Sequence, residues 1–222
     1  MEIDISRPIL DKNEKLAAAN RALFDEKGVF VLDLMASPGA GKTSTILATI
    51  DALRDRYRIA VIEGDIASKV DAEKISAHGI PAVQINTGGA CHLESDMIQR
   101  AISALDLDEL DLIIVENVGN LVCPTEFYLG EYAKVMILSV PEGHDKPYKY
   151  PNIFALAEAV ILNKYDTVSV FDFNEDEFRS VVRSLNPAAP VFALSATKGE
   201  GVDAWAEWLA GRIEDARAKA KG

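Results

Sequence analysis

Cysteine and histidine are scarce in this chain, with two cysteines and three histidines among 222 residues. Two cysteines cannot build the disulfide framework of a small secreted domain. The opening MEIDISRPIL has neither the basic start nor the apolar stretch of a secretory leader. A reducing, cytoplasmic setting with thiols free to bind metal is therefore the expectation. Basic charge is short as well: 23 Lys and Arg face 35 Asp and Glu, for a net charge of -12. A surface poor in clustered cations does not hold a phosphate backbone or an anionic bilayer, so neither nucleic acid nor membrane is expected as the partner. No apolar run approaches the roughly 20 residues that a bilayer-crossing helix requires. Repeats, low-complexity tracts and linkers are also missing. What the chain does have is 49% hydrophobic residues, enough at this length for a full core.

The pattern of those apolar residues points to an α/β fold. Asp11 or Asn13 offers an N-cap, Leu16, Leu23 and Phe24 an apolar stripe, and Gly28 a stop, which predicts a leading amphipathic helix within 1–28. Seven short runs follow, VFVLDLM, RIAVIEG, AVQIN, LIIVE, AKVMILSV, AVILNK and VFALS, separated by helical stretches. Near-continuous apolar strands of this kind suit a parallel sheet covered on both faces. GVDAWAEWLAGRIEDARAKAKG predicts a closing helix over 202–222. The expectation is a single domain over 1–222, doubly wound, with a mostly parallel sheet, helices on both faces and ligands at the carboxyl ends of the strands.

The first strand runs into MASPGAGKTST, which brings Ser37, Pro38, Gly39, Ala40, Gly41, Lys42, Thr43 and Ser44 to the start of a helix. Glycines let backbone N–H groups close on phosphate oxygens, the helix N-terminus favours an anion, and Lys42 adds a point charge. Thr43 is placed to hold Mg²⁺. Ala36 stands where the strict P-loop pattern has its first glycine, a change that an ordinary backbone conformation tolerates.

The base is read from NKYD, with Asn163, Lys164 and Asp166, and from SATKGEG, with Ser195, Ala196 and Thr197. A carboxylate only accepts, so Asp166 can pair with the N1–H and N2–H₂ donors of guanine but meets an unprotonated N1 in adenine. The stem of Lys164 can lie on the base, Asn163 can brace the loop, and the Ala196 amide can donate to guanine O6. GTP and GDP are thus the expected nucleotides. Between these motifs, LIIVENVGN sets Glu116 beside Mg²⁺ and turns the Gly119 amide to a terminal phosphate. Asp65, closing another strand, is a second candidate for Mg²⁺ or its water. Asp71 can orient the attacking water or stand as a solvated carboxylate on a helix.

These motifs resemble the HypB family of GTPases, which deliver nickel during maturation of [NiFe] hydrogenases. The resemblance runs through NEKLAAANRALFDEKGVFVLDLMASPGAGKT, EGDIASKVDAEK, NTGGACHLESDM, ENVGNLVCP, EGHDKPYKYP and NKYD. It implies a P-loop GTPase of the SIMIBI class with slow intrinsic hydrolysis and a homodimer promoted by GTP and metal. A HypA-type nickel chaperone and the hydrogenase large-subunit precursor are the implied partners. Its metal ligands for Zn²⁺ or Ni²⁺ fall on Cys91, His92 and Cys123. Some members also carry an N-terminal cysteine motif or histidine tract; here no cysteine precedes Cys91 and no histidine precedes His78, so the resemblance does not extend to storage of several nickel ions.

Taken alone, Cys91 beside His92 is better read as a small apolar residue next to a surface imidazole. Cys123 changes the weight of that reading, because it lies four residues beyond Gly119. A thiolate on a segment that follows the γ-phosphate makes metal affinity depend on nucleotide state. Three side chains leave a tetrahedral sphere open, to be closed by water or across a two-fold interface. Thiolate and imidazole suit zinc and nickel alike. Lys146 or Lys149 can reach a partner's nucleotide, or can be solvated charges. The competing readings are a UreG-like urease-maturation GTPase, whose Cys-Pro-His motif this chain lacks, a GTP-gated scaffold without turnover, and a small-molecule kinase with structural Cys and His.

Overall fold

The computed structural model describes residues 6–65 and 70–220, the side chains of 6–9, 65, 70–73 and 220 excepted. All seven apolar runs form strands: β1 Phe30–Ala36, β2 Ile59–Asp65, β3 Ala82–Asn86, β4 Leu112–Glu116, β5 Ala133–Ser139, β6 Ala159–Asn163 and β7 Val191–Ala193. They make one sheet in the order β3-β2-β4-β1-β5-β6-β7, and every pairing is parallel. The α-helices among the described residues are α1 Ser6–Lys27, α2 Lys42–Leu53, α3 Val70–Ala77, α4 Ser95–Ile102, α5 Lys146–Lys149, α6 Pro151–Leu156, α7 Glu175–Leu185 and α8 Val202–Ala220.

Alternate residues of each strand serve opposite faces. Leu32 and Leu34 of β1 pack with Ile46 and Ile50 of α2 and with Trp205, Leu209 and Ile213 of α8. On the other face, Val31 joins Phe24 of α1 and Ile98 of α4, while Met35 joins Phe154 of α6 and Phe178 of α7. Both faces are covered, which is why the central strands read as unbroken apolar runs. Charges interrupt these runs: Asp33 in β1, Glu63 in β2 and Lys134 in β5 are all buried.

The leading helix starts earlier than its capping pattern suggests. It already includes Ser6, so Asp11 and Asn13 lie within it and neither is the N-cap. The Asn13 amide is used at long range instead, donating to the Tyr128 carbonyl at 2.7 Å and accepting from the Ser95 amide at 2.8 Å. A short polar side chain that finds backbone partners from another segment has no need of the cap position.

Because the strands are parallel, their carboxyl ends share one edge. That edge carries the segments after Ala36, Asp65, Glu116, Ser139, Asn163 and Ala193. Chain connections diverge to either side of β1, and the crevice at such a switch point is where open α/β sheets bind ligands.

Candidate functional site

The loop after β1 has the backbone of a phosphate cradle. Gly39 and Gly41 take φ of 79° and 95°, a region in which a Cβ is strained, and Gly41 hands the chain into α2 at Lys42. Pro38 and Gly39 are exposed, Ala40 is buried, and Ser37, Thr43 and Ser44 are half-buried. Lys42 is only 9% exposed, and its ammonium lies 4.0 Å from Glu116 at the end of β4. The Thr43 hydroxyl sits 3.2 and 3.3 Å from the two Glu116 carboxylate oxygens. Thr43 and Glu116 therefore converge as two oxygen donors beside the Lys42 ammonium, the donor chemistry Mg²⁺ takes. Gly119 approaches the cradle closely: a Cβ there would meet the ring of Pro38 at 2.9 Å and its backbone nitrogen at 3.0 Å. The backbone ends of Asp65 and Asp71 are placed in β2 and α3, but both side chains lie outside the described residues, so their roles as a Mg²⁺ ligand and a water-orienting group stand as expectations.

NKYD and SATKGEG close on the same loop. Asn163, buried at the end of β6, donates to the Ala40 carbonyl at 2.9 Å and accepts from the Ala196 amide at 3.2 Å. One side chain thus ties the phosphate loop to both base loops. Contact is so close that a Cβ on Gly41 would lie 2.4 Å from the Asn163 amide nitrogen. Lys164 has φ of 55°, the one positive φ outside glycine among the described residues, and its ammonium donates to the Gly39 carbonyl at 2.7 Å. That bond lays the lysine stem across the loop. Asp166 is 3.2 Å from the Lys198 ammonium. Its carboxyl is held below the usual carboxylate range by the neighbouring Ser195 hydroxyl, which has no partner of full hydrogen-bonding geometry, and by Lys198. It is therefore an ionised acceptor at neutral pH. Ala196 is half-buried beside it and Thr197 is exposed.

Cys91 and His92 lie in the loop between β3 and α4, and Cys123 in a single 3-10 turn after β4. Although they come from separate segments, a ligand atom of each lies within 4.8 Å of the others. Cys91 Sγ is 3.4 Å from His92 Nδ1. The Cys123 thiol beside it, together with some loss of hydration, pushes the thiol of the exposed Cys91 up. Burial pushes the His92 imidazole down, against the raising effect of Glu94, so the ring is neutral near pH 7, the form that ligates metal. Its Nε2 is buried without a hydrogen-bond partner, with a Glu94 oxygen at 3.6 Å. Phe127 stacks on the ring at 3.8 Å between centroids and fixes its plane. Two sulfurs and an imidazole within reach of one ion suit zinc or nickel.

Several residues of the site were not singled out in the sequence. Asn120 donates to the Cys91 carbonyl at 3.3 Å and accepts from the Val122 amide at 2.8 Å and the Cys123 amide at 3.4 Å, joining the two metal-ligand segments. Glu142 accepts from the Ser139 amide at 2.8 Å and hydroxyl at 2.7 Å, and also from the Ser37 hydroxyl of the phosphate loop. The spacing Ser-x-x-Glu in SVPE was the available signal for that turn. Lys149 pairs with Asp145 on its own short helix, and the Lys146 ammonium lies 5.6 Å from the centre of the Tyr150 ring.

Residues 30–193 match the family model described as CobW/HypB/UreG, nucleotide-binding domain. The chain is 46% identical over 209 residues to the hydrogenase maturation factor HypB of Escherichia coli, a likeness that spans 94% of this chain and 71% of that one. Among solved structures it resembles HypB from Helicobacter pylori in complex with nickel, with a TM-score of 0.88 at 38% identity over 92% of this chain and 96% of that one. The 54 kDa protein of the signal recognition particle from Aeropyrum pernix shares the fold more distantly, with a TM-score of 0.57 at 14% identity over 87% of this chain and 49% of that one.

Proposed function

The chain belongs to the HypB family of hydrogenase maturation factors, and from that membership we propose that it works as a single GTPase domain whose nucleotide state gates the carriage of nickel to a hydrogenase precursor. The observation that carries this reading is the cluster of Cys91, His92 and Cys123 within 4.8 Å, with Cys123 on the segment that leaves β4 past Glu116 and Gly119. A relative's structure holds nickel, and three ligands of this kind suit a transferable ion because the open coordination position leaves room for exchange.

In this reading the phosphates lie over the backbone of Ser37–Ser44, and Lys42 neutralises charge that builds on the terminal phosphate. Thr43 and Glu116, with Asp65, hold Mg²⁺, which supplies further charge neutralisation when bound. Asp71 orients water or remains a solvated carboxylate. Asp166 reads guanine, Asn163 keeps the two base loops on the phosphate loop, and Ser195, Ala196 and Thr197 close the pocket. The Gly119 backbone faces the γ-phosphate. Hydrolysis at low intrinsic rate then serves as a timer rather than as an output. A HypA-type chaperone is the proposed metal source or recipient, and the cytoplasm the proposed compartment.

Phosphate release with GTP or ATP as the only nucleotide tests the enzyme reading. GTP should be turned over slowly and ATP not detectably. Equal turnover would sink the guanine assignment, and no release from GTP with Mg²⁺ present would leave a GTP-gated scaffold.

The open metal sphere also favours a homodimer in the GTP state, with Lys146 or Lys149 reaching the partner's nucleotide. Exposed ion pairs such as Lys149 with Asp145 contribute little to stability, so breaking one to reach a phosphate costs little. Light scattering should give a larger mass with a non-hydrolysable GTP analogue and nickel than with GDP. A monomer in both states would exclude a shared site.

A further inference from the structure

Beneath the two metal-ligand loops lies a buried polar cluster that neither nucleotide chemistry nor metal ligation uses directly. Asp33, in the middle of β1, is fully buried. One carboxylate oxygen accepts from the Asn117 amide at 3.0 Å, and the other accepts from the Lys134 ammonium at 2.9 Å. Lys134 is 4% exposed and donates also to the carbonyls of Pro124 at 3.1 Å and Phe127 at 3.0 Å, with a Glu131 oxygen 3.3 Å away. Asn117 is fully buried, and its carbonyl oxygen accepts from the amides of Leu93 at 3.2 Å and Val118 at 2.9 Å.

The ends of this cluster are specific. Leu93 follows His92, Pro124 follows Cys123, Phe127 stacks on the His92 ring, and Asn117 follows Glu116. A set of buried charges is weak evidence for stability, because apolar residues of similar volume often serve as well. Its distinct consequence is geometric. In a low-dielectric interior, a fully paired network holds its members in one arrangement, and here it holds the backbone next to His92 and Cys123 against the strand end that carries Glu116.

We propose that Asn117 and Lys134, anchored on Asp33, are positioning residues that set the separation of the Cys91–His92 loop from Cys123 and so the geometry offered to the metal. The inference rests on the reading of those three side chains as the metal site. Asn117 holds one loop and Lys134 the other. A displacement of the end of β4 reaches both through a single buried carboxylate.

Nickel titration of the full chain, followed by thiolate-to-nickel charge-transfer absorbance, tests this in wild type and Asn117→Ala. That substitution leaves Asp33 paired with Lys134 but takes a partner from the buried Leu93 and Val118 amides and from one Asp33 oxygen, so the melting temperature should fall while the affinity for a fluorescent GDP stays near wild type. Nickel affinity should fall by roughly 10- to 100-fold, the usual loss when an outer partner of a metal ligand is removed, and the absorbance band should shift as the thiolates move. A folded Asn117→Ala with wild-type affinity and an unshifted band would overturn the proposal. Should Asn117→Ala fail to fold, Asp33→Asn supplies the reading. It is isosteric and leaves one carboxylate to balance one ammonium; a weaker loss in the same direction supports the network, and an unchanged site overturns it. Wild type that bound neither nickel nor zinc would instead remove the metal reading itself.

Discussion

Asp166→Asn should weaken GTP severely and turn the base site toward xanthine nucleotides. The Asp166 carboxylate, ionised through its Ser195 and Lys198 neighbours, is the acceptor proposed for two donors of guanine. Hydrogen bonds to a charged group are roughly twice as strong as neutral ones. Losing the charge from both therefore weakens GTP by roughly a hundred- to ten-thousand-fold. An asparagine amide can donate to the O2 that replaces the exocyclic amine in xanthine, so part of the loss returns with XTP. The phosphate loop should be undisturbed, because Asn163 and Lys164 hold it through side chains that the substitution leaves alone. Competition of GTP and XTP against a fluorescent GDP measures the exchange. A mutant that binds GTP as wild type does would show that Asp166 does not read the base.

Cys123→Ala should separate metal from nucleotide. The Cys123 backbone amide is held by Asn120 and its turn continues into Pro124 and Thr125, so removal of one sulfur leaves the segment in place. Gly119 still packs on Pro38, and the guanine loops are far along the same strand edge. GDP and GTP analogue should thus bind with wild-type affinity. Nickel and zinc, reduced to one thiolate and one imidazole from this chain, should lose at least the roughly 10- to 100-fold that removal of an outer partner costs. The remaining metal affinity should no longer depend on the nucleotide, since the ligand carried by the sensing segment is gone. Equilibrium titration of both metals in both nucleotide states checks each part. Full metal affinity in the mutant would show that the cluster's proximity is incidental.

The strands, and the loops expected to hold phosphate and base, could be placed in the sequence for a physical reason. A strand covered on both faces has to be apolar at every position, and a loop that cradles phosphate or reads guanine needs glycine, lysine, asparagine and aspartate at set spacings. The metal cluster was legible through its residue types and the family resemblance. From the residues alone its assembly was not, because Cys91 and Cys123 are separated in the chain by α4 and β4; only the resemblance brought them together. Asp33, Asn117 and Lys134 escaped for the opposite reason. A charge inside an apolar run looks like an interruption, and its partners lie 84 and 101 residues away in the chain. Asn13 was misread because a polar side chain near a helix start resembles a cap, while its actual partners, Ser95 and Tyr128, come from other segments. The tie between Ser37 and Glu142 spans 105 residues and was equally invisible.

The central claim is that nucleotide and metal are thermodynamically coupled through the segment from Glu116 to Cys123. Titrating nickel into the wild-type chain saturated first with GDP and then with a non-hydrolysable GTP analogue tests it most directly. The two nickel affinities should differ by about 5- to 150-fold, the range for a coupling of about 1–3 kcal/mol, with nickel shifting the affinity ratio of the two nucleotides by the same factor. Equal nickel affinities in the two states would contradict it.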